Sequence, residues 1–544
     1  MLREKIRNDI AKTIDNLHLT LRLRSGRAIN KDQIEVTRTA DPRFGDFATN
    51  VALRLTSFAQ GRGAVKQSPL EFAKVLTDSL KDLPYVEKLE VAGPGFINFF
   101  IKPEVWQKEV TDVLKTGEKY GSNQIGKGKK ARVEFVSANP TGPLHFGNAR
   151  GGPIGDALAS VLEFCGYKVV REYVHNDIGG QVDKLGESVF NVAAGANLAD
   201  QQYKGQYVRD LANKIKGVKD AKEAGEKAVD LLFAGIKKDC LDMGIKFAEF
   251  YPESQFMASG ATKRALFKIK RFLKEKDRAV WFAPSDEFLG DRETVVIKSD
   301  GNYTYFANDI AYHNLKFESD PDLVIDIFGA NHHGHVPRLQ AAIKALGYDV
   351  SRFHVVLYQW VRFINLETLE KVMMSKRLGT FVTAREVLDG VGRDALRFFI
   401  LMHDPSSHID FDLSLAMRKT KENPVYYVQY AHARISSILA KSKVKSQKSK
   451  VDYSLLTTNY ELDLIKQITR LPELVEDIAQ SFAVHRLTAY ATDLADSFHR
   501  FYENCRVIGE KEDLQEARLG LIMATKIVLA NTLKLLGIAA PEKM

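Results

Sequence analysis

The sequence is poor in the features that would place it outside the cell or in a membrane. It has only three cysteines in 544 residues, Cys165, Cys240 and Cys505. They lie too far apart for a recognised zinc module or a disulfide framework, and so low a count suits a reducing compartment. No apolar run approaches the length needed to span a bilayer. The opening Met1-Leu2-Arg3-Glu4-Lys5-Ile6-Arg7 lacks the apolar core of a signal peptide. The expected location is the cytoplasm, with no membrane partner. A strong excess of one charge is also missing: 78 basic against 69 acidic residues give +9, which favours a polyanionic partner only weakly. With 45% hydrophobic residues, the chain can bury large cores, and its length suggests about three or four domains.

Arg132 to Cys165 carries the strongest local signal. Val133, Phe135 and Ser137 alternate with Glu134 and Val136 as in a strand, which Pro140, Gly142 and Pro143 stop. A helix is expected next, because Ile154, Leu158, Val161, Leu162 and Cys165 fall on one apolar face. His145 and Asn148 share one side of its first turn, and Gly147 lets backbone approach a flat ligand. Free N–H groups and these side chains are expected to converge on an anion. A histidine at a helix start is more often a cap, so a second element is required. Met374-Ser375-Lys376-Arg377-Leu378-Gly379 supplies one far downstream, with Lys376 as a compact cation on a glycine-bounded loop.

His145-Phe146-Gly147-Asn148 resembles the HIGH signature of class I aminoacyl-tRNA synthetases, and Met374-Ser375-Lys376 their KMSKS signature. Beyond these two motifs the chain resembles arginyl-tRNA synthetases through the runs 291–301, 326–335, 391–399 and 423–434. In the reaction this implies, a carboxylate attacks the α-phosphate of ATP. The protein must then position the reactants and neutralise charge on the phosphates. The resemblance implies that His145, Asn148 and Lys376 serve catalysis. It implies that Gly147, Met374, Ser375, Gly329 and His332 join those three at ATP, which carries Mg²⁺, and that activation requires bound tRNA. Glu134, Tyr305 and Asp309 would hold the guanidinium of L-arginine, and Ser137 and Asn139 its α-amino and carboxylate groups. Two carboxylates suit the fixed donor fork of a guanidinium, and an acid set among apolar neighbours is costly to bury without a cation. The alternative for Glu134 and Asp309 is a structural ion pair with a protein Lys or Arg.

The chain departs from the family pattern in places. Met373 stands at the first lysine of the second signature and Gly142 where some relatives carry a lysine, leaving Lys371 or Arg377 to compensate. Asn331 replaces a common Asp and is assigned to the arginine site. The cluster His332, His333 and His335 has no cysteine or acid at ligand spacing, so neither zinc nor any other protein-bound metal is expected.

The expected architecture is α/β: a doubly wound, Rossmann-like parallel-sheet catalytic domain with an N-terminal α+β domain and a C-terminal all-α domain. Residues 1–115 match the family's additional tRNA-binding domain, with Asn98 as a candidate contact, and 116–130 read as a linker. Residues 131–415 form the catalytic domain, with a largely helical insertion near 185–290. Residues 416–544 form the DALR anticodon-binding domain. There Tyr427, Tyr430 and Arg434 form a stripe that is either core or a platform for unstacked bases, and Met544 is a further candidate. The expected protein is a monomeric arginine–tRNA ligase that uses ATP, L-arginine and tRNA(Arg). The rival expectations are a synthetase for another amino acid and a catalytically silent tRNA-binding paralogue.

Overall fold

The computed structural model describes residues 1–17, 31–59, 68–364, 382–442 and 451–544. The chain divides into two compact units, each assembled from three chain segments.

The first unit comprises 1–120, 437–473 and 496–528. Strands β1 (Val36–Arg38), β2 (Phe47–Thr49), β3 (Val86–Ala92) and β4 (Phe96–Ile101) form an antiparallel sheet in the order β1-β2-β4-β3. The helix Pro69–Leu80 starts at a capping box between Ser68 and Glu71. Its apolar face buries Phe72, Ala73, Leu76 and Leu80. Polar ties to the late segments complete this unit. Arg38 donates to the Glu473 carboxylate at 2.7 Å and to the Thr469 and Lys466 carbonyls. Gln107 donates to the Leu456 carbonyl at 2.9 Å.

The second unit comprises 121–436, 474–495 and 529–544. Along the chain its strands are β5 (Lys130–Glu134), β6 (Lys168–His175), β7 (Glu249–Pro252), β8 (Leu273–Lys276), β9 (Ala279–Phe282), β10 (Thr294–Ile297), β11 (Leu323–Gly329), β12 (Phe353–Tyr358), β13 (Val361–Ile364) and β14 (Ile409–Asp412). Five of them form a parallel sheet, β12-β11-β5-β6-β7. β5 lies at its centre, where the winding reverses, and a crevice opens at the carboxyl ends of strands at such a point. A three-stranded antiparallel sheet, β10-β9-β8, and a parallel pair, β13-β14, complete the strand inventory of the described residues.

The expected α/β architecture is therefore present, with two corrections of detail. β5 does not alternate between a buried and an exposed face: Ala131, Arg132, Val133 and Glu134 are all buried, because a central parallel strand is covered on both faces. The stretch near 185–290 is not simply helical. It holds the helices Gly180–Ala193, Gln206–Lys214 and Ala221–Asp242, but also β7, the edge strand of the main sheet, and β8 and β9. Among the described residues, no helix is long and apolar enough to cross a membrane.

Candidate active site

A cavity of about 480 Å³ lies at the carboxyl ends of β5, β6, β11 and β12. Immediately after β5 the backbone turns through left-handed conformations at Val136 (φ 68°) and Ser137 (φ 40°). A β-branched residue rarely adopts this geometry, so the turn needs support from its surroundings. Buried Tyr173 provides it: its hydroxyl accepts from the Ala138 amide at 3.0 Å and donates to the Ala138 carbonyl at 2.8 Å. Ser137 Oγ accepts from the Val174 amide. The turn thereby presents Ser137, Ala138 and Asn139 to the cavity. Asn139 donates to Gln181 and accepts from the Asn176 amide.

The helix Tyr305–Glu318 forms another wall. Thr304 caps it through the Ala307 amide. Phe306, Ala307, Ile310 and Ala311 bury its apolar face, while Tyr305 and Asp309, one turn apart, reach the cavity. Glu134, Ser137, Asn139, Asn148, Tyr305, Asp309, Gly329, Asn331 and His332 all line this one space.

His145 and Gly147 are not among its lining residues. His145 is the N-cap of the short helix Phe146–Ala149, and its Nδ1 accepts from the Gly147 amide at 2.9 Å. The proton therefore sits on Nε2, and burial pushes the imidazole below its ordinary pKa. The expectation of free amides around a phosphate is corrected here. Phe146 N bonds to the Val382 carbonyl, Gly147 N to His145 Nδ1, and Asn148 and Ala149 N to the His145 carbonyl. Gly147 is required by the cap itself, since a Cβ there would stand 2.9 Å from Nδ1.

Around this signature the chain is tied to both stems of the later one. His145 bridges Thr383 as in a strand pair, and Ala384 N donates to the Leu144 carbonyl at 2.8 Å. Fully buried Arg150 donates to the carbonyls of Gln359 (2.6 Å), Ser407 (2.9 Å) and Asp404 (3.0 Å). Burial pushes its guanidinium down to about 10. Met374, Ser375 and Lys376, with Lys371, Met373 and Arg377, lie outside the described residues.

The acids form two groups, and neither stands alone. Glu134, 2% exposed, accepts from Lys316 Nζ at 2.6 Å. Lys316 also donates to Asp326 at 2.6 Å, and His313 Nε2 lies 2.8 Å from the other Asp326 oxygen. For Glu134 the structure holds the alternative, an ion pair with a protein lysine: Lys316, 182 residues away, meets it. Burial pushes Glu134 above the ordinary carboxylate range, and Lys316 offsets only part of that. Asp309 is 35% exposed in its side chain and sits 3.0 Å from His335 Nε2. Beside it is Glu253, which accepts from the Asn308 amide. Burial raises Glu253 to about 7, and Asp309 and Asp177 add to the rise. The charges acting on Glu134 are instead Lys316, Asp326 and His313.

Glu253 and Lys316 escape sequence reasoning because their contacts are distant along the chain, as is the Asp309 contact of His335. The run Tyr251-Pro252-Glu253 at a strand-to-helix junction was the one available signal. In the histidine cluster, Asn331 Oδ1 lies 3.0 Å from His332 Nδ1. Among the described residues, no three His, Cys, Asp or Glu side chains are grouped to hold a metal.

The RNA candidates divide. Asn98 lies on the inner strand β4, paired with β2 and β3, and is 4% exposed. Tyr430 stacks on Tyr426 with ring centroids 6.2 Å apart, and the Arg434 guanidinium lies 5.0 Å from the Tyr430 centroid. Tyr426, Tyr430 and Arg434 thus follow one another at i, i+4, i+8, and Tyr427 beside them is half-buried. Met544 is 54% exposed.

Three family models match the chain: the arginyl tRNA synthetase N terminal domain over residues 2–101, the catalytic domain of tRNA synthetases class I (R) over 109–202, and the DALR anticodon binding domain over 428–544. Among solved structures, an arginyl-tRNA synthetase of Thermus thermophilus shares the fold with a TM-score of 0.79 at 22% identity, each chain covered in full. A putative arginyl tRNA synthetase of Campylobacter jejuni gives 0.72 at 29% identity, covering 82% of this chain and 100% of the other. The class I catalytic-domain match, on a chain whose main sheet is parallel, makes this chain a class I aminoacyl-tRNA synthetase. The arginine–tRNA ligase of Citrifermentans bemidjiense is 41% identical over the full length of both chains, and that of Carboxydothermus hydrogenoformans is 41% identical over 94% of each. The chain belongs to the arginyl-tRNA synthetase family.

Proposed function

We propose that this chain is an arginine–tRNA ligase. It condenses L-arginine with ATP to arginyl-adenylate and pyrophosphate, then passes the arginyl group to the 3′-terminal adenosine of tRNA(Arg), through the 2′-hydroxyl by class I habit. The observation that carries the reading is one cavity, lined by the acids Glu134, Glu253 and Asp309, at the switch point of a parallel sheet. A cationic amino acid suits a cavity lined by these carboxylates.

Asp309 and Glu253, with Tyr305, take the guanidinium, whose fork suits two carboxylates better than an ammonium would. Glu134 adds its carboxylate to the guanidinium site, and Ser137 and Asn139 hold the α-amino and carboxylate groups. The carboxylate then faces the α-phosphate of ATP. Gly329, Asn331 and His332 line the ribose side, while Nε2 of His145 and the Asn148 amide donate to the phosphates. Met374, Ser375 and Lys376 close on the leaving pyrophosphate, whose charge Mg²⁺ shares. Neutral His145 suits this role, since it donates a hydrogen bond that strengthens as charge develops on the phosphate.

Tyr430, Arg434 and the nearby Tyr427 offer bases a stacked surface with one cation, and Met544 lies exposed at the chain end. Three buried thiols suit a reducing cytoplasm. Pyrophosphate exchange measured with each amino acid, with and without tRNA(Arg), tests the assignment. Exchange with arginine alone, and only when tRNA is present, is expected. Exchange with another amino acid, or none under any condition, refutes it.

A further inference from the structure

Eight of the sixteen residues 263–278 are Lys or Arg and two are acidic, so this stretch alone carries +6 of a net charge that is +9 for the whole chain. Its first half is helical. The helix Ala261–Lys268 follows Gly260, whose φ of 68° turns the chain, and it buries Ala261, Thr262, Ala265 and Leu266. Ile269, just beyond it, is buried as well. Lys263, Arg264, Phe267, Lys268, Lys270 and Arg271 are left outside, a face of five cations and one ring with no acid among them.

Cations near a helix C-terminus offset its dipole and ordinarily sit in water. Two features set this face apart. Phe267 is 68% exposed, the most exposed large apolar side chain among the described residues, and Lys270 Nζ stands 4.6 Å from its ring centroid. Counter-charge is also short. Lys268 is met by Glu318 at 3.0 Å, and Arg264 donates to the Ser259 carbonyl, but Lys263, Lys270 and Arg271 have no carboxylate partner among the described residues. Unpaired cations around an exposed ring suit a nucleic-acid strand, whose phosphates need positive charge and whose unpaired bases need a flat apolar platform. The face begins beside the cavity: Thr262 donates to the Asn308 side chain at 2.8 Å, and Asn308 lines the cavity. It continues away from it as far as Lys268 at Glu318, and from Asn308 to Glu318 the helix Tyr305–Glu318 advances about 15 Å.

We propose that this face docks the acceptor arm of tRNA: Lys263, Lys270 and Arg271 take backbone phosphates, and Phe267 gives an unpaired base of the 3′ strand a ring to stack on. This rests on the reading of the chain as a tRNA ligase. The arm follows from position. With the terminal adenosine in the cavity, a strip that starts at the cavity wall and leads away from it meets the nucleotides that precede that adenosine, whereas the anticodon lies at the far end of the molecule. Phosphate contacts carry no sequence information, so the face adds affinity for any tRNA and leaves discrimination to other surfaces.

The test uses the full-length chain and complete tRNA(Arg), with binding measured by filter retention at salt concentrations from about 50 to 200 mM. In the triple variant Lys263→Gln, Lys270→Gln, Arg271→Gln, the fall of log affinity with log salt should become shallower by about 2 to 3, near one for each phosphate released. A hydroxyl-radical footprint of the bound tRNA should lose protection in the acceptor arm and keep it in the anticodon arm. Lys263→Arg with Lys270→Arg, which keeps both charges, should leave the slope unaltered. Phe267→Ser should weaken binding of complete tRNA(Arg) by about fivefold or more, and leave unchanged the affinity for a tRNA trimmed of its single-stranded 3′ end. All these side chains are exposed, so thermal unfolding and arginine binding should stay at the unaltered protein's values. A slope that the triple variant does not change, or protection lost outside the acceptor arm, overturns the docking face. An equal effect of Phe267→Ser on both RNAs overturns the stacking role. An unaltered protein that retains no tRNA(Arg) overturns instead the ligase reading on which the proposal rests.

Discussion

Glu253 is the residue whose replacement should separate stability from function most sharply. Its carboxyl is 8% exposed and its one side-chain partner is the neutral Asn308 amide, itself held by Thr262. Burial shifts it from 4.5 to about 7, a displacement worth about 3 kcal/mol. The sign follows from proton counting. Between these two values the folded chain keeps a proton that the unfolded chain has released, so rising pH drains stability across the window and the loss is complete above it. Glu253→Gln keeps the acceptor for Asn308 and removes the ionisation. The variant should match the unaltered protein at pH 4.5 and exceed it by about 3 kcal/mol near pH 8, as measured by urea unfolding without ligand. The same variant should bind arginine at least tenfold more weakly at pH 8, because the charge that destabilises the empty site is the one the guanidinium neutralises. Arginine titrations run beside the unfolding curves supply the second half. Parallel stability profiles in the two proteins, or unaltered arginine binding, would refute the reasoning.

Asp309→Asn should cost about 1 to 3 kcal/mol of arginine binding, since the carboxylate is part exposed and shared with His335; citrulline, neutral and similar in shape, should lose far less in the same titration. Lys376→Ala should lower arginine-dependent pyrophosphate exchange by about 10²-fold or more with arginine affinity nearly unchanged, and near-normal exchange would remove it from the mechanism. Arg150→Lys keeps the charge but cannot reproduce a three-carbonyl fork; a loss of about 2 to 4 kcal/mol in denaturant stability is expected, and a loss near zero would show that the clamp is dispensable. Tyr430→Ala should weaken binding mainly of tRNAs bearing an arginine anticodon, seen in competition between tRNAs, whereas equal loss for all tRNAs would mark the stack as packing.

What could be read from the sequence was local. The turn after β5, the amphipathic helix ending at Cys165 and the pair Tyr305 and Asp309 rest on spacings of a few residues, and the cavity gathers Glu134, Ser137, Asn139, Asn148, Tyr305 and Asp309 but not His145 or Gly147. What stayed hidden depends on who sits opposite. Nothing near Glu134 in the sequence announces Lys316, and β5 reads as an alternating strand until its neighbours cover both faces. The amides at residues 146–149 look available until the bridge to Val382 and the His145 side chain take them up. Nothing in the sequence shows that Tyr426 stacks on Tyr430, a contact that depends on ring orientation.

The first compact unit has a consequence for how the chain is made. Arg38 and Gln107 emerge early from the ribosome, yet the carbonyls and carboxylate that satisfy them belong to residues 454–473. Gln107 and Leu456 are 349 residues apart. At usual synthesis speeds, the N-terminal sheet waits between about 17 and 70 seconds for its partners. During that interval Trp106 and the Phe47 ring stacked on it lack the late helices that complete their unit. This chain must therefore close its earliest structure with some of its last residues, an ordering that makes the nascent N-terminal segment a natural client for whatever shields unfinished proteins in the cell.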